Sequence, residues 1–311
     1  MRGLLLLSAF GVLSSLAAPA AAQDTDQNRQ ACEGSEPAYS LAQQVAGCTA
    51  VINAGTATTA VLAIAFHNRG LAYQEQNQYA RAIADYDQAI RLKPDDASAF
   101  NNRGLAYQDQ NQYARAIADY DQAIRLKPDY AIAFCNRGNA YQDQKQYARA
   151  IADYDQAIRL KPNYAIAFYN RGNAYTSQKQ YARAIADYDQ AIRLKPDLAV
   201  AFLNRGNAYR SLQQYERAIA DYDQAIRLKP DYALAFDNRG IAYFLQGKYS
   251  RAIADYDQAL RLDGSKADYY YDRGVAELRL GLSAKGHADI ARAIKMNPKV
   301  AAEEAEYGVK P

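Results

Sequence analysis

Seven glycines stand 34 residues apart: Gly70, Gly104, Gly138, Gly172, Gly206, Gly240 and Gly274. A fixed period of this length means one supersecondary unit copied in tandem, each copy burying its apolar face against its neighbours. The copies are close to identical, since Arg81 to Pro94 and Arg115 to Pro128 both read R-A-I-A-D-Y-D-Q-A-I-R-L-K-P. Within the first copy, apolar residues fall at helical spacing in two blocks, Ala65 to Gln76 and Tyr79 to Leu92. Pro94 ends the second block, because its ring clashes with the preceding turn and it lacks an N–H. Asp95 then stands where the N-cap of the next helix is expected. The expected fold is all-α, built of tandem helical hairpins.

With each glycine numbered as position 8, a fixed order of residue types appears. Position 4 is aromatic (Phe66 through Phe236, then Tyr270), position 11 is Tyr73 through Tyr243, and position 20 is Ala82 through Ala252. Position 24 is Tyr86 through Tyr256, position 27 is Ala89 through Ala293, and position 32 is Pro in every copy but the sixth, which has Gly264. This order resembles the tetratricopeptide repeat across residues 63–300. The resemblance implies a right-handed α-solenoid, the tetratricopeptide superhelix. Its concave groove would be lined by the first helices at positions 2, 5, 6, 9, 12 and 13. One departure recurs: the family often has Leu at position 7, and every copy here has Arg.

Those arginines run from Arg69 to Arg273 and are matched at position 23 by Asp85, Asp119, Asp153, Asp187, Asp221, Asp255 and Asp289. Pairs such as Arg69 with Asp85 and Arg171 with Asp187 read as partly buried ion pairs inside each hairpin, where a paired guanidinium is tolerated and an unpaired one is not. The alternative is an Arg that snorkels to solvent. Position 25 is Asp in six copies and Ala291 in the last.

Residues 1–22 read as a secretory signal peptide: Arg2, an apolar run, then Ala20-Ala21-Ala22. Export is expected, with a bacterial periplasm as the compartment and no membrane insertion once the leader is cut. Residues 23–37 are polar and expected to be disordered. Residues 38–62 read as a degenerate half-repeat capping the array, with Cys48 at the aromatic position 24, and residues 301–311 as a C-terminal cap or tail. In an oxidising compartment Cys32 and Cys48 form a candidate disulfide; otherwise Cys48 is a small buried hydrophobe and Cys32 is free. Cys135, at position 5 of the third copy, is left over as a thiol or a tolerated variable residue.

No catalytic pattern is present. The two histidines, His67 and His287, lie far apart, no Cys/His spacing suits zinc, and each N-R-G lies inside a helix rather than after a strand. Carboxylates at positions 23 and 25 diverge by about 200° around a helix, so they do not share one ion. The net charge of +3 gives no reason to expect a nucleic-acid groove. The reading is of a non-enzymatic protein without cofactor or metal.

Function is then expected on the concave face that the resemblance implies. Position 6 is an amide ladder of Asn68, Asn102, Asn136, Asn170, Asn204 and Asn238, and position 9 adds Asn139, Asn173 and Asn207. Primary amides donate and accept at once, which suits the backbone of an extended peptide; recent duplication would also copy them without use. Position 5 varies, with Tyr169 and Leu203 as candidate selectivity residues, through ligand choice or drift. Phe244 and Leu245 make the sixth copy apolar there, as a partner site or as a seat for the C-terminal tail. The expected function is a protein-interaction scaffold that binds a protein or extended peptide in its groove. The alternative is a structural spacer or self-associating element of an envelope assembly. The oligomeric state is not legible. The leader reading is checked by intact mass of protein purified from the periplasm, which should begin near Gln23; a chain retaining Met1 would overturn it.

Overall fold

A computed structural model describes residues 20–34 and 39–310, with side chains from residue 26 onward. Among these residues every regular element is an α-helix. The leader reading falls outside them, apart from its last three residues. Two helices precede the clear copies, α1 (Ala20–Glu33) and α2 (Leu41–Asn53). Hairpins follow: α3 (Thr59–Glu75) with α4 (Tyr79–Leu92), α5 (Ala97–Asp109) with α6 (Tyr113–Leu126), α7 (Ala131–Asp143) with α8 (Tyr147–Leu160), and α9 (Ala165–Ser177) with α10 (Tyr181–Leu194). The last three are α11 (Ala199–Ser211) with α12 (Tyr215–Leu228), α13 (Ala233–Leu245) with α14 (Tyr249–Leu262), and α15 (Ala267–Arg279) with α16 (Ser283–Met296), before a short α17 (Val300–Ala305). The helices fall into two compact units, one ending at Leu126 and the other beginning at Lys127.

The hairpins from Gly70 to Gly240 are each closed by a glycine and a tyrosine sixteen residues apart, and in the last hairpin Ile290 stands opposite Gly274. A Cβ on Gly206 would stand 2.6 Å from Tyr222 Cε1, and the other five Gly–Tyr pairs are as tight. Only glycine lets the two helices come this close around a fully buried ring. The turn between the helices needs a positive φ at position 15, met by Asn77, Asn111, Lys145, Lys179 and Gln213, and later by Gly247 and Gly281. There the N–H of the following residue reaches back to an orphan carbonyl of the first helix, as Gln78 does to Tyr73 at 2.8 Å. The cap of α5 is Asp96, not Asp95: its carboxylate accepts from Ser98 and Ala99, because the turn after Pro94 takes one residue more.

The position-7 arginines are clamped from three sides. In the second unit, Arg205 donates from Nε and Nη2 to Asp221 at 2.8 and 2.6 Å, and from Nη1 to Asp189 of the preceding hairpin at 2.6 Å. Its guanidinium also lies over the Phe202 ring, 5.4 Å from the centroid. Arg171, Arg239 and Arg273 repeat the arrangement in that unit, and Arg103 does so with Asp119 and Asp87 in the first. Burial alone would lower the guanidinium of Arg205, and the two carboxylates more than reverse it. Burial raises Asp221 in turn, against the pull of its arginine. Position 25 therefore serves the next hairpin, so positions 23 and 25 hold different guanidinium groups.

The N-terminal region differs from the sequence reading. Residues 23–33, expected to be disordered, lie within α1, and α1 packs on α2 as a whole atypical hairpin rather than a half-repeat. Cys32 and Cys48 are joined by a disulfide with their Cα atoms 4.4 Å apart. Their separation of 16 puts them at the Gly and Tyr positions of an ordinary copy, so a covalent bond stands where ring packing stands elsewhere. Ala31 and Gly47 replace the Arg and Asp, and a Cβ on Gly47 would meet Ala31 Cβ at 2.8 Å. Thr49, at position 25, takes a hydrogen bond from Arg69 at 3.0 Å in place of an ion pair. The connection from α2 to α3 is short, because Thr58 caps α3 and starts it at Thr59.

In both units the first helices of successive hairpins touch one another, whereas the second helices do not. The first-helix face is thus the inner one. Removing the buried partner of a clamp should cost far more than removing the exposed one. Asp221→Ala is expected to destabilise α11 and α12 by roughly 3 kcal/mol. Asp189→Ala, whose side chain is 43% exposed, should cost under about 1 kcal/mol. Native-state hydrogen exchange resolved by helix measures both, and equal costs would contradict the clamp.

Candidate functional site: the inner face of the second unit

The amide ladder is engaged within the protein. In the first unit Asn68 donates to the Cys32 carbonyl at 3.1 Å, and Asn102 lies 2.8 Å from His67 Nε2. In the second, Asn170 donates to Asn139 Oδ1 at 2.8 Å, and Asn204 to Asn173 Oδ1 at 2.9 Å and to the Tyr169 hydroxyl at 3.1 Å. Asn238 donates to the Leu234 carbonyl at 2.8 Å and accepts from Arg210 at 3.1 Å. Asn136 is buried. At Asn170 and Asn204, position 6 of one copy is thus bonded to positions 5 and 9 of the copy before.

The position-9 amides hold the core tyrosines. The hydroxyls of Tyr154, Tyr188 and Tyr222 each donate at 2.8 Å to Asn139, Asn173 and Asn207. In the first two copies, where position 9 is Leu, Gln74 and Gln108 at position 12 accept instead, both at 2.9 Å. The sixth copy has Ile241 and Phe244 at those positions, and the Tyr256 hydroxyl has no partner among the described residues. Position 5 is also packed rather than open. Leu203, expected to face a ligand, is 2% exposed in the core beside Phe202 and Tyr222, and Asn101, Cys135, Asp237 and Tyr271 are buried with it. Burial pushes the Cys135 thiol up to about 11, so it is protonated at neutral pH.

Arg210 is a residue that the sequence reading passed over. It stands at position 12 of the fifth copy, where three earlier copies have Gln, and that departure was the available signal. It lines a cavity of about 510 Å³ with Thr176, Tyr181, Asn207 and Tyr215, and a second of about 210 Å³ with Asp237, Asn238 and Ile241. Both cavities are also walled by the C-terminal segment. Beyond α17, Gly308 turns the chain at φ +91°, and Val309 returns into the core, fully buried with Val300, Phe244 and Tyr271. A Cβ on Gly308 would meet Leu245 Cδ2 at 2.9 Å. Of the two readings left open for Phe244 and Leu245, the seat for the tail is the one occupied. The segment packs on α15 and α16 and runs on across the inner face.

Family models match residues 70–111, 109–145, 206–247 and 240–281 as "TPR repeat", and residues 135–199 as "Tetratricopeptide repeat". Together they cover more than half of the chain. It belongs to the tetratricopeptide repeat family. No curated protein matches it in sequence. Among solved structures, a tetratricopeptide repeat protein from Parabacteroides merdae is 20% identical, over 75% of this chain and 92% of that one, with a TM-score of 0.59. The pilF protein of Pseudomonas aeruginosa is 20% identical, over 67% and 94%, with a TM-score of 0.60. A chain of the Cut9–Hcn1 hetero-tetramer of APC/C is 15% identical, over 83% and 50%, at 0.61. These likenesses show the fold. Membership places the protein among interaction scaffolds that bind proteins or peptides. No described helix is long and apolar enough to cross a membrane, and no described cluster of His, Cys, Asp and Glu is arranged to hold a metal ion.

The tyrosine hydroxyls give a paired test. Tyr222→Phe strands Asn207 Oδ1 and is expected to cost about 1 kcal/mol. Tyr256→Phe removes a hydroxyl that has no partner among the described residues and should be neutral or stabilising. Urea denaturation of the two variants beside the wild type measures the difference, and equal losses would show that the Tyr256 hydroxyl is satisfied.

Proposed function

We propose that this tetratricopeptide repeat protein is an exported, non-enzymatic scaffold that binds a short peptide segment on the inner face of its second unit. One observation carries the reading: a polar cavity of about 510 Å³ opens on that face around Asn207 and Arg210. Asn207 there is the last of the position-9 amides. No following amide donates to it as Asn170 does to Asn139, because Asn238 turns instead to its own helix. Arg210 adds a cation whose buried Nε has no hydrogen-bond partner among the described residues, and whose guanidinium suits a carboxylate or carbonyl. Specificity on this face rests on Arg210 and its surroundings rather than on an even ladder. Export is supported by the leader pattern and by the Cys32–Cys48 disulfide, which persists in an oxidising compartment such as a periplasm.

A second reading, the structural spacer, draws on a different observation: the ladder amides bond to one another and to core tyrosines, so repetition alone explains them. A random-peptide library displayed on phage separates the two. Selection on the immobilised full chain should enrich a peptide family that is lost, by at least about ten-fold in affinity, in Arg210→Glu. Helicity should be unchanged, because position 12 lies within α11 and Glu is nearly as good a helix former as Arg. No enrichment, or binding indifferent to the charge reversal, would favour the spacer.

A further inference from the structure

The C-terminal segment is an odd cap. A segment that merely sealed the last hairpin would pack closely and leave no buried polar atom unpaired. This one overhangs two cavities and closes over a group of carboxyls. Asp237 on α13 and Asp272 on α15 are buried, and among the described residues no N–H or hydroxyl donor reaches Asp237 Oδ1 or either Asp272 oxygen, so the polar contact left to Asp272 is the Glu304 carboxyl. Glu304, from α17 itself, is buried beside them. Asp268 on α15 and Asp255 on α14 add further negative charge, Glu303 flanks Glu304 on α17, and Arg210 on α11 is the cation that faces the group. Tyr256, Tyr269 and Tyr271 complete the titratable groups around it. Tyr307 lines the same cavity and is half in solvent, with its ring under the Arg210 guanidinium at 5.4 Å. Beyond it, Arg279 holds the Lys310 carbonyl at 3.1 Å.

We propose that the segment from Val300 to Lys310 is a displaceable occupant of the inner groove, and that the partner which replaces it carries the same chemistry. That chemistry is a carboxylate, an aromatic ring three residues later, and then small apolar residues, as in Glu304, Tyr307, Gly308 and Val309. The proposal rests on the peptide-binding reading above and adds its regulation and the ligand's class. Charge complementarity supports it, because Arg210 meets both a ring and a carboxyl of the segment. The uncompensated carboxyls make the docked state dispensable. Two buried acids and Glu304 remain together only while they hold protons between them.

That requirement has a sign. Burial and its carboxylate neighbours raise Glu304 to about 7, and Asp237 and Asp272 lie well above the usual carboxylate range for the same reasons. A carboxyl raised in the docked state binds its proton there and not when released. Docking is therefore firmest below the ordinary glutamate range, weakens as pH rises through about 7, and is weakest above it. The groove opens toward alkaline pH.

The experiment uses the full chain and a labelled, end-blocked peptide of residues 299–310 added in trans. Binding to the wild type at about pH 6 should be weak, since the tethered copy holds the seat. Tyr307→Ala and Val309→Asp, which loosen the tether, should each tighten it at least about ten-fold, and adding Arg210→Ala should abolish the gain. Tyr307 is exposed, so its variant folds even where a charge at position 309 does not. In the wild type, hydrogen-exchange protection of the Val309 amide, bonded to the Glu304 carbonyl at 3.2 Å, should fall more than about ten-fold from pH 5 to pH 8. Glu304→Gln should flatten that fall. Equal peptide binding by wild type and both variants, or protection that does not change with pH, would overturn the proposal. If library peptides that depend on Arg210 bind the wild type and the loosened variants alike, the segment is no competitor and the groove reading stands. If no library peptide binds any of them, the groove reading fails as well.

Discussion

A guanidinium cannot be taken out of water without partners, and a guanidinium at position 7 of every copy makes this the governing constraint of the fold. Satisfying it takes a carboxylate sixteen residues later in the same hairpin and a second from the hairpin before, as Arg205 shows with Asp221 and Asp189. The first bond shuts the hairpin and the second sets one hairpin on the next. A leucine at that position would supply burial alone, with no directional bond between neighbours. The pattern relaxes where it has no neighbour to serve: Thr49 stands in for the carboxylate at the N-terminal end, and Ala291 is found where no later arginine follows.

Closure of the hairpins from Gly70 to Gly240 is over-determined by this clamp and by the Gly–Tyr contact, so their second helices tolerate little change. The first hairpin shows the same geometry reached by other chemistry. Cys32 and Cys48 occupy the Gly and Tyr positions, and Ala31 and Gly47 occupy the Arg and Asp positions, so small residues and a covalent bond draw the helices together without any buried charge. The polar α1 is joined to α2 by that bond and packs on it. A loop closed over sixteen residues is stabilised by roughly 3 kcal/mol in the chain-entropy model.

The same physics moves function away from the repetitive positions. Asn170 and Asn204 are each within reach of two internal acceptors, and the position-9 amides are taken by tyrosine hydroxyls. What remains for recognition is where copies depart from the consensus. Arg210 supplies a charge, the sixth copy turns apolar at Ile241 and Phe244, and the C-terminal segment settles over both. The apolar sixth copy gains Val309 and loses a partner for Tyr256, which is the cost of making a seat.

Local chemistry made the architecture readable from the chain alone. Helical spacing, Pro94, the close-approach glycines and the Arg–Asp match at sixteen residues are each short-range signals, and duplication repeats them along the array, the proline in every copy but the sixth. The role of position 25 was also written there, in the one copy that lacks Asp, but reading it required knowing which helix comes next to which. Tertiary structure alone decided the rest. Whether an asparagine faces a ligand or its neighbour depends on the rotation of stacked helices, and a shift of one position turns a side chain by about 100°. So Leu203 reads as a groove residue and lies in the core. Residues 23–33 read as disordered because what α1 packs on and bonds to, α2 and Cys48, lies outside the segment. The seat of the C-terminal segment joins α11, α13, α15 and α17, elements separated by up to a hundred residues, and no local pattern records a contact that only folding creates.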